Sequence, residues 1–319
     1  MRAIVRRRYG GPEVLALEEV EPPSMAADQV LVRVRAASVN AHDWHMLRGL
    51  PYIARPSEGW RTPKSSVLGI DAAGIVEAVG KDVTHVRAGD SVFGNRSGSW
   101  AELVAGRTFV PMPSGLTFEQ AAAVPVAATT ALKALRDKGN VVAGQRVLIT
   151  GAGGGVGTFA VQIAKAFGAT VTAVTSTAKV EAVRSIGADE VIDHAGDAFL
   201  RARGRYDLVV DAGGYRRVSA LGRLLAPEGT LVLVGPGSGD WLGPLLHIAS
   251  AVVRSRLGRR RLRPFLASVS KDDLLVLKGL IEAGRVTPVI DRTYPLSETA
   301  EAIRRLESGR AIGKVVITV

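Results

Sequence analysis

The sequence predicts an α/β protein of two domains, in which a doubly wound parallel sheet accompanies a β-rich domain. The chain has 319 residues, more than one domain usually holds, and its hydrophobic content of 47% is enough for two cores. Short segments with Gly, Pro and Asp between them fill the first part of the chain, whereas strand and helix patterns alternate after Gln145. We therefore expect a first domain over 1–123, a second over 124–269, and a return to the first over 270–319.

The β-rich domain is predicted from five short strand patterns. They are "RAIVRRR", "QVLVRVRAASVN", "AGIVEAVG", "DSVFG" and "AELVA". Within the second, "VLVRVRA" alternates apolar and basic residues, as a strand with one solvated face does. At Thr117 the spacing of "TFEQ" matches a capping box and predicts a helix through "AAAVPVAATTALKAL", which Pro125 should kink or interrupt.

The parallel sheet is predicted from runs of Val, Ile and Leu, which suit strands that are buried on both faces. The strand patterns are "RVLIT", "TVTAVTS", "DEVIDH", "YDLVVDAGG" and "TLVLVGP", and the helices between them include "VGTFAVQIAKAFGA", "AKVEAVRSIGA" and "RRVSALGRLLAPEG". After Ser270 two further helices lead to a last strand, "KVVITV", whose character matches the first domain.

Composition excludes several kinds of chemistry and location. The chain has no cysteine, so disulfides, thiol nucleophiles and thiolate metal ligands are all excluded. No segment is apolar for long enough to predict a membrane span, and the N-terminal segment lacks the apolar core of a signal peptide. We expect a cytoplasmic protein without a membrane partner.

The formal net charge of +11 arises mostly from basic residues scattered among acidic ones. One dense basic run, Arg254–Arg263, suits a solvated surface, and the alternative is a patch for an anionic partner. Aromatic residues make up 5% of the chain and do not interleave with the run. We therefore expect no nucleic-acid partner.

A glycine-rich loop, "GAGGGVG" at 151–157, joins the first strand of the parallel sheet to a helix. A strict G-x-G-x-x-G fails, because its last position falls on Val156 or Thr158. The placement between strand and helix still suits a dinucleotide pyrophosphate, held by backbone amides and the helix dipole. The residues expected there are Gly154, Gly155, Val156 and Gly157. The alternative is a flexible loop without a ligand.

The end of the next strand indicates which dinucleotide binds. An NAD site usually has Asp or Glu there, but this chain has Ser176, Thr177 and Lys179, with no carboxylate until Glu181. Hydroxyl donors and an ammonium suit the 2′-phosphate of NADPH, which a carboxylate would repel. NADPH is therefore the predicted cofactor, although Ser176 and Thr177 would also suit the cap of the following helix.

These motifs together resemble the medium-chain dehydrogenase/reductase superfamily, in its zinc-independent quinone oxidoreductase branch. That branch commonly carries A-x-x-G-G-V-G, which Gly151–Gly157 matches with Gly at the Ala position. "AASVNAHDWHMLRG", "LGIDAAGIVEAVG" and "VRAGDSVFG" resemble its N-terminal module. The resemblance implies a Rossmann domain, a discontinuous GroES-like catalytic domain, an active site in the cleft between them, and a homodimer formed through an edge of the Rossmann sheet.

The resemblance also implies roles for individual residues. Asn40 is the expected hydrogen-bond donor near the nicotinamide, and Tyr52 either donates a proton or shapes the pocket. Positions matching the family's cofactor contacts, or lying at the carboxyl ends of strands, are Thr130 at the nicotinamide end, Lys314 near the phosphates, and Gly213 and Gly235. At the position of His194 the family often has a tyrosine near the adenosine phosphate, so the histidine is either a pH-dependent contact to the 2′-phosphate or a surface residue.

No metal site is expected. The zinc alcohol dehydrogenases of the superfamily have cysteine at the position of Asn40 and Gly-His-Glu at 69–71, where this chain has Gly-Ile-Asp. His42 and His45 are three residues apart, but no third ligand accompanies them. Hydride transfer without a metal favours an acceptor that is already electrophilic, a quinone or an α,β-unsaturated carbonyl.

Two alternatives stay open at the level of sequence. One is a zinc-free alcohol or ketone dehydrogenase that uses another proton relay. The other is a protein of the crystallin type that senses NADPH or binds RNA through Arg254–Arg263.

Overall fold

The structure is a computed structural model that describes residues 1–52, 55–196, 198–201, 205–214, 216–234, 261–265 and 267–319. The chain forms two compact units. Unit 1 comprises Met1–Ala127, Val269–Glu282 and Pro288–Val319, and unit 2 comprises Ala128–Ser268 and Ala283–Thr287. The divisions lie within four residues of the predicted ones, except that 283–287 belongs to unit 2.

Unit 1 is built mainly of strands. Its elements are β1 (Arg2–Arg6), β2 (Leu15–Glu19), β3 (Val30–Val39), α1 (Ala41–Arg48), α2 (Arg55–Glu58), β4 (Asp71–Val79), β5 (Ser91–Asn95), β6 (Leu103–Gly106), β7 (Thr108–Pro111), α3 (Phe118–Ala122), α8 (Lys271–Glu282), β14 (Ile290–Pro295), α9 (Thr299–Glu307) and β15 (Lys314–Thr318).

The long strand β3 organises the main sheet of unit 1. The strand order is β14-β15-β3-β4-β5-β7, with β6 also paired to β3, and β1 and β2 form a separate antiparallel pair. Antiparallel pairing of β15 with β3 aligns Val315 with Val39, so the C-terminal strand does return to the first module. Fully buried Trp100 and Phe109 pack into the core of this unit.

Unit 2 alternates strands and helices. Its elements are β8 (Arg146–Thr150), α5 (Gly155–Ala166), β9 (Thr170–Thr175), α6 (Val180–Ser185), β10 (Glu190–Asp193), β11 (Tyr206–Asp211), α7 (Val218–Gly222), β12 (Leu225–Val234) and β13 (Arg261–Phe265). Helix α4 (Pro125–Lys133) begins in unit 1 and ends in unit 2.

The sheet of unit 2 is parallel, with the strand order β10-β9-β8-β11-β12-β13. The chain runs outward from β8 to β10 on one side and from β11 to β13 on the other. The order therefore reverses between β8 and β11, and ligands of doubly wound sheets bind at the carboxyl ends of the strands at such a point. The predicted α/β class is confirmed.

One predicted helix is interrupted at its proline as expected, and another is shorter than its sequence pattern. Pro125 divides the Ala-rich segment, because a proline that lacks an N–H cannot continue a helix but suits the start of one, and α4 begins there. The pattern "RRVSALGRLLAPEG" gives only the five residues of α7. Strand β12 already begins at Leu225, and its pairing with β11 shifts register before Thr230.

In the part of the chain that the structure describes, no helix is long and apolar enough to span a membrane. Of the predicted basic run, 254–260 lies outside the described residues. Arg261 and Arg263 belong to β13, and the Arg263 guanidinium donates to the carbonyl of Lys138 at 3.0 Å.

Candidate active site

Asn40 lies at the junction of β3 and α1 in unit 1. Its backbone is extended, with φ −124° and ψ 159°, and it forms a capping box with Asp43 at the start of α1. The shorter half of the box is the bond from the Asn40 backbone N–H to the Asp43 carboxylate, at 2.8 Å. The carboxamide of Asn40 also bonds to residues outside α1.

Asp71, the first residue of β4, is the acceptor for that carboxamide. Asn40 Nδ2 donates to Asp71 Oδ2 at 2.9 Å, and Ser38 Oγ donates to the same oxygen at 2.9 Å. The other oxygen accepts from the backbone N–H of Val126 at 3.1 Å. Pairing of Ser38 with Asp71 across β3 and β4 brings these residues together.

Lys314, the first residue of β15, completes the cluster. Its Nζ donates to Asn40 Oδ1 at 2.6 Å and to the carbonyl of Val39 at 2.9 Å, and it lies 3.8 Å from Asp71 Oδ2. The side chain is 3% exposed. The resemblance placed Lys314 near the cofactor phosphates, but the structure gives its ammonium buried protein partners within unit 1. We name Ser38, Asn40, Asp71 and Lys314 the polar cluster.

Burial and mutual attraction act in opposite directions on the charges of the polar cluster. Burial raises the pKa of Asp71 and lowers the pKa of Lys314, because it disfavours the charged form of each. Their attraction opposes both shifts, and the hydrogen bonds that Asp71 accepts oppose the shift of Asp71. An ion pair of this kind is stable only with its hydrogen bonds complete.

Asp43 adjoins the polar cluster and is fully buried. Its Oδ1 has no hydrogen-bond partner among the described residues. Burial, followed by the nearby Asp71, raises the pKa of Asp43 to about 7, against the hydrogen bond from the Asn40 backbone. Asp43 is therefore a carboxyl group that can hold a proton near neutral pH.

Tyr52 belongs to a separate stack of aromatic and cationic side chains in unit 1. The Arg55 guanidinium lies 4.6 Å from the Tyr52 ring centroid and 4.7 Å from that of Tyr9. Arg55 Nε donates to the carbonyl of Gly49 at 3.0 Å, and Tyr9 Oη donates to the carbonyl of Gly59 at 2.7 Å. These contacts hold the half-buried Tyr52 ring against a fixed guanidinium.

The two histidines of the sequence pattern lie on α1. His42 is exposed, and the His45 ring contacts that of Trp44 in a tilted arrangement, with 4.2 Å between the ring centroids. Within the described ranges, no three His, Asp or Glu side chains come together in a way that could hold a metal ion.

The glycine loop of unit 2 has the close backbone approaches that the sequence predicts. Gly154 is the N-cap of α5, and no side chain caps the amides of the first turn. A Cβ on Gly157 would lie 2.1 Å from the Gly151 carbonyl oxygen, whereas a Cβ on Gly154 would meet only that oxygen, at 3.3 Å. The loop thus presents the first turn of a twelve-residue helix with Gly154, Gly155 and Val156 half-buried, a geometry that fits a pyrophosphate.

The loop after β11 packs directly on the glycine loop. Gly151 has φ +66°, and a Cβ there would lie 2.7 Å from the Gly213 nitrogen. Asp211, which is buried, accepts from Thr150 Oγ1 at 2.5 Å and from the N–H groups of Gly213 and Gly214 at 3.2 and 3.1 Å. One carboxylate therefore ties β8 and β11 together where the strand order reverses.

The end of β9 carries the residues predicted to select the dinucleotide. A Cβ on Gly153 would lie 2.7 Å from both Lys179 Cδ and Thr175 Oγ1, so the lysine stem lies against the glycine loop. Ser176 is half-buried and makes no side-chain cap bond at the turn that follows it. The Ser176 side chain therefore does not cap the helical turn that follows it.

Thr177 makes a side-chain hydrogen bond to a residue that is distant in the sequence. Its Oγ1 donates to Asp193, the last residue of β10, and this bond lowers the pKa of Asp193. Parallel pairing of Asp193 with Thr175 places a carboxylate at the end of the neighbouring strand. The sequence favoured NADPH because no Asp or Glu directly follows β9, but the end of β10 places the Asp193 carboxylate beside that position. His194, the next residue, is exposed.

Two further predicted positions are Thr130 and Gly235. Thr130 is 8% exposed on α4, and Gly235 lies outside the described residues. Asp43, Asp71 and Asp193 are the site residues that sequence reasoning missed. Asp71 stands in the Gly-Ile-Asp segment that was compared with zinc ligands, and Asp193 ends a predicted strand, so both had a usable signal.

Two family models match the chain. Residues 26–134 match the alcohol dehydrogenase GroES-like domain, and residues 186–317 match the model described as zinc-binding dehydrogenase. These matches agree with the predicted GroES-like domain and with the parallel sheet of unit 2.

Individual relatives cover nearly the whole chain. The mitochondrial NAD(P)H oxidoreductase RTN4IP1 of Bos taurus is 35% identical over 100% of this chain and 89% of its own. The chloroplastic NADPH-dependent alkenal/one oxidoreductase of Arabidopsis thaliana is 33% identical over 99% and 79%. The solved structure of the quinone oxidoreductase from Coxiella burnetii superposes with a TM-score of 0.87, 30% identity and coverage of 100% and 99%.

Proposed function

Because the chain belongs to the medium-chain dehydrogenase/reductase superfamily, in its quinone oxidoreductase-like branch, it is an oxidoreductase with a nicotinamide cofactor, and we propose that it reduces quinones or α,β-unsaturated carbonyls with NADPH and without zinc.

The observation that carries the proposal is the polar cluster. In a catalytic zinc site, three protein ligands with free lone pairs surround a dication. Here the Oδ1 of Asn40 already accepts from the Lys314 ammonium, and the same ammonium lies 3.8 Å from Asp71. A divalent cation at this position would meet a buried positive charge and oxygens that already accept hydrogen bonds. The donor set thus supports a reaction without zinc.

The proposed reaction has no metal ion to polarise the acceptor carbonyl, so we expect an acceptor that can itself delocalise the added negative charge. NADPH supplies the hydride when bound. The carbonyl oxygen of the acceptor then gains negative charge, which a quinone ring or an enolate spreads over several atoms. Asn40, with an N–H to donate, is the residue we assign to that oxygen. Tyr52 is assigned either to proton donation or to the wall of the pocket.

The cofactor assignment is supported by the glycine loop and by Lys179. The first-turn amides of α5 suit a pyrophosphate, and the stem of Lys179 lies against Gly153 of the same loop. Asp193 opposes a 2′-phosphate and would suit the hydroxyl groups of an NADH ribose. We propose that the protein binds NADPH more tightly than NADH, and that Asp193 makes this difference in affinity smaller.

A panel of acceptors tests the function. We expect NADPH oxidation with 1,4-naphthoquinone and with trans-2-hexenal, and at least about 100-fold less with hexanal, which has the same carbon chain without conjugation. Equal rates with hexenal and hexanal, or none with either conjugated acceptor, would refute the proposal. Oxidation of hexanol by NADP⁺ as the faster reaction would favour the alcohol dehydrogenase alternative.

The homodimer, the cytoplasmic location and the solvated role of 254–263 stay predictions. Light scattering and a salt-dependent RNA binding assay test the first and the last of these.

A further inference from the structure

The carboxamide of Asn40 lies between two groups of opposite hydrogen-bonding character. The Lys314 ammonium, 2.6 Å from Oδ1, can only donate. The Asp71 carboxylate, 2.9 Å from Nδ2, can only accept while it is ionised. The two ends of the carboxamide are therefore not interchangeable.

Rotation of the carboxamide by 180° would break both bonds. It would bring NH₂ against the ammonium and the carbonyl oxygen against the carboxylate. Asp71 is fully buried and Lys314 is 3% exposed, so water is poorly placed to replace the lost bonds. Of the two orientations that a carboxamide usually has, only one is stable here.

The two clamping residues are themselves held in place. Asp71 accepts from Ser38 and from the backbone of Val126 in addition to Asn40. Lys314 also donates to the carbonyl of Val39, the residue before Asn40. The backbone of Asn40 is fixed as well, by the bond from its N–H to Asp43. The orientation is thus imposed by contacts on β3, β4 and β15.

Resting on the function proposed above, we propose that Lys314 and Asp71 are positioning residues that orient Asn40 so that its second Nδ2 hydrogen donates to the acceptor oxygen. The bond to Asp71 uses one of the two Nδ2 hydrogens, and the side-chain hydrogen bond between Asn40 and Asp43 is the smallest of the influences on the Asp43 carboxyl group. The rotated carboxamide would offer the acceptor oxygen a lone pair and would repel the charge that develops there.

A double-mutant cycle tests whether Lys314 acts through Asn40. We expect Lys314→Met to lower kcat by about tenfold with the dissociation constant of NADPH unchanged, and to lower it by less than about twofold in an Asn40→Ala background. An equal loss in both backgrounds would overturn the proposal, since a merely structural lysine affects both alike. Lys278→Met, which removes a half-buried lysine paired with Glu282, is the matched control and should leave kcat unchanged.

A second measurement needs no catalysis and no folded variant at position 314. The chain has three asparagines, Asn40, Asn95 and Asn140, so protein labelled with [¹⁵N]asparagine gives three side-chain amide pairs, assignable with Asn95→Ser and Asn140→Gly variants. For Asn40 we expect two well-separated proton signals, one protected from solvent exchange by Asp71 and one that exchanges faster. Two protons that exchange equally fast would overturn the proposal.

The two readouts separate this inference from the proposed function. If the wild-type protein reduces no acceptor, the function fails, while the amide signals still decide whether the clamp exists. If it is active, but the cycle is additive or the amide signals are equivalent, the inference fails alone.

Discussion

At the scale of single residues, we propose that cofactor choice depends on a lysine and a carboxylate that have opposite effects on NADPH affinity. Lys179 lies against the glycine loop, and Asp193 accepts a hydrogen bond from Thr177 at the adjacent strand end. Only the 2′-phosphate distinguishes NADPH from NADH, so a charge near it changes the ratio of the two affinities rather than both together.

Lys179→Ala should weaken NADPH binding by about tenfold and NADH binding by less than about twofold, because only the phosphate loses an ionic partner. Asp193→Asn should act in the opposite sense and raise the ratio of NADPH to NADH affinity. Fluorescence titration of both cofactors measures this, with Lys165→Ala, whose lysine pairs with exposed Asp189, as the control. Equal wild-type affinities for the two cofactors would refute the phosphate assignment.

Asp43 should make stability depend on pH. Its folded-state pKa of about 7 lies above the ordinary 3.8, so between these values the folded protein binds a proton that the unfolded chain has lost. The free energy of unfolding therefore falls as pH rises through this window, by at most about 4 kcal/mol from this group.

Asp43→Asn keeps the acceptor for the Asn40 N–H and removes the titration. Relative to wild type, we expect the variant to gain stability between pH 4 and pH 8, as measured by urea unfolding at both values. A difference between the two proteins that does not change with pH would mean that Asp43 is ionised throughout.

The sequence alone identified Asn40 and the glycine loop as candidates. It did not identify the residues that hydrogen-bond to Asn40 and to Thr177. Lys314 is 274 residues from Asn40 along the chain, and only the pairing of β15 with β3 brings them together. Asp193 reaches Thr177 through the pairing of β10 with β9. Strand register decides both contacts, and a local pattern carries no information about register.

At the scale of elements, the turn from β8 into α5 contains glycines of two kinds. At one the protein itself leaves no space for a Cβ, and at the other the space is left open for a ligand. Gly157 has no room for a Cβ, since the Gly151 oxygen and Ala152 Cα would lie at 2.1 and 2.6 Å. Gly154 has room within the protein, and its place at the helix N-terminus is where a pyrophosphate would approach.

Gly157→Ala should therefore destabilise unit 2, by roughly 1–3 kcal/mol, through strain between the helix and the loop. Gly154→Ala should leave the midpoint of thermal unfolding within about 2 °C of wild type and weaken cofactor binding by about tenfold. Thermal unfolding and cofactor titration of the matched pair measure both effects. Unchanged cofactor affinity in Gly154→Ala would place the pyrophosphate elsewhere.

Helices and strands with one clear sequence pattern could be predicted from the sequence. Segments in which helical and strand patterns compete were predicted less well. The valine-rich strands β8, β9 and β11 and the capping box of α3 lie where the sequence indicates. Segment 216–229 was ambiguous because a helical period precedes Pro227 and Gly229, and sheet pairing extends β12 back to Leu225.

At the scale of the whole molecule, each unit contributes a different part of the proposed reaction. Unit 2 contains the doubly wound sheet and the glycine loop, and unit 1 contains the polar cluster that we propose acts without a metal. The return of β15 to the sheet of unit 1 supplies Lys314, so the last strand contributes to the polar cluster as well as to the fold.

The most direct measurement of metal-free reduction is isotope transfer by protein dialysed against a chelator. With NADPH carrying deuterium at both C4 positions of the nicotinamide and trans-2-hexenal as acceptor, we predict one deuterium at the β-carbon of hexanal, detected by mass spectrometry and NMR, at a rate that added zinc does not change. Absence of deuterium from the product, or a rate that disappears on chelation and returns with zinc, would contradict the account.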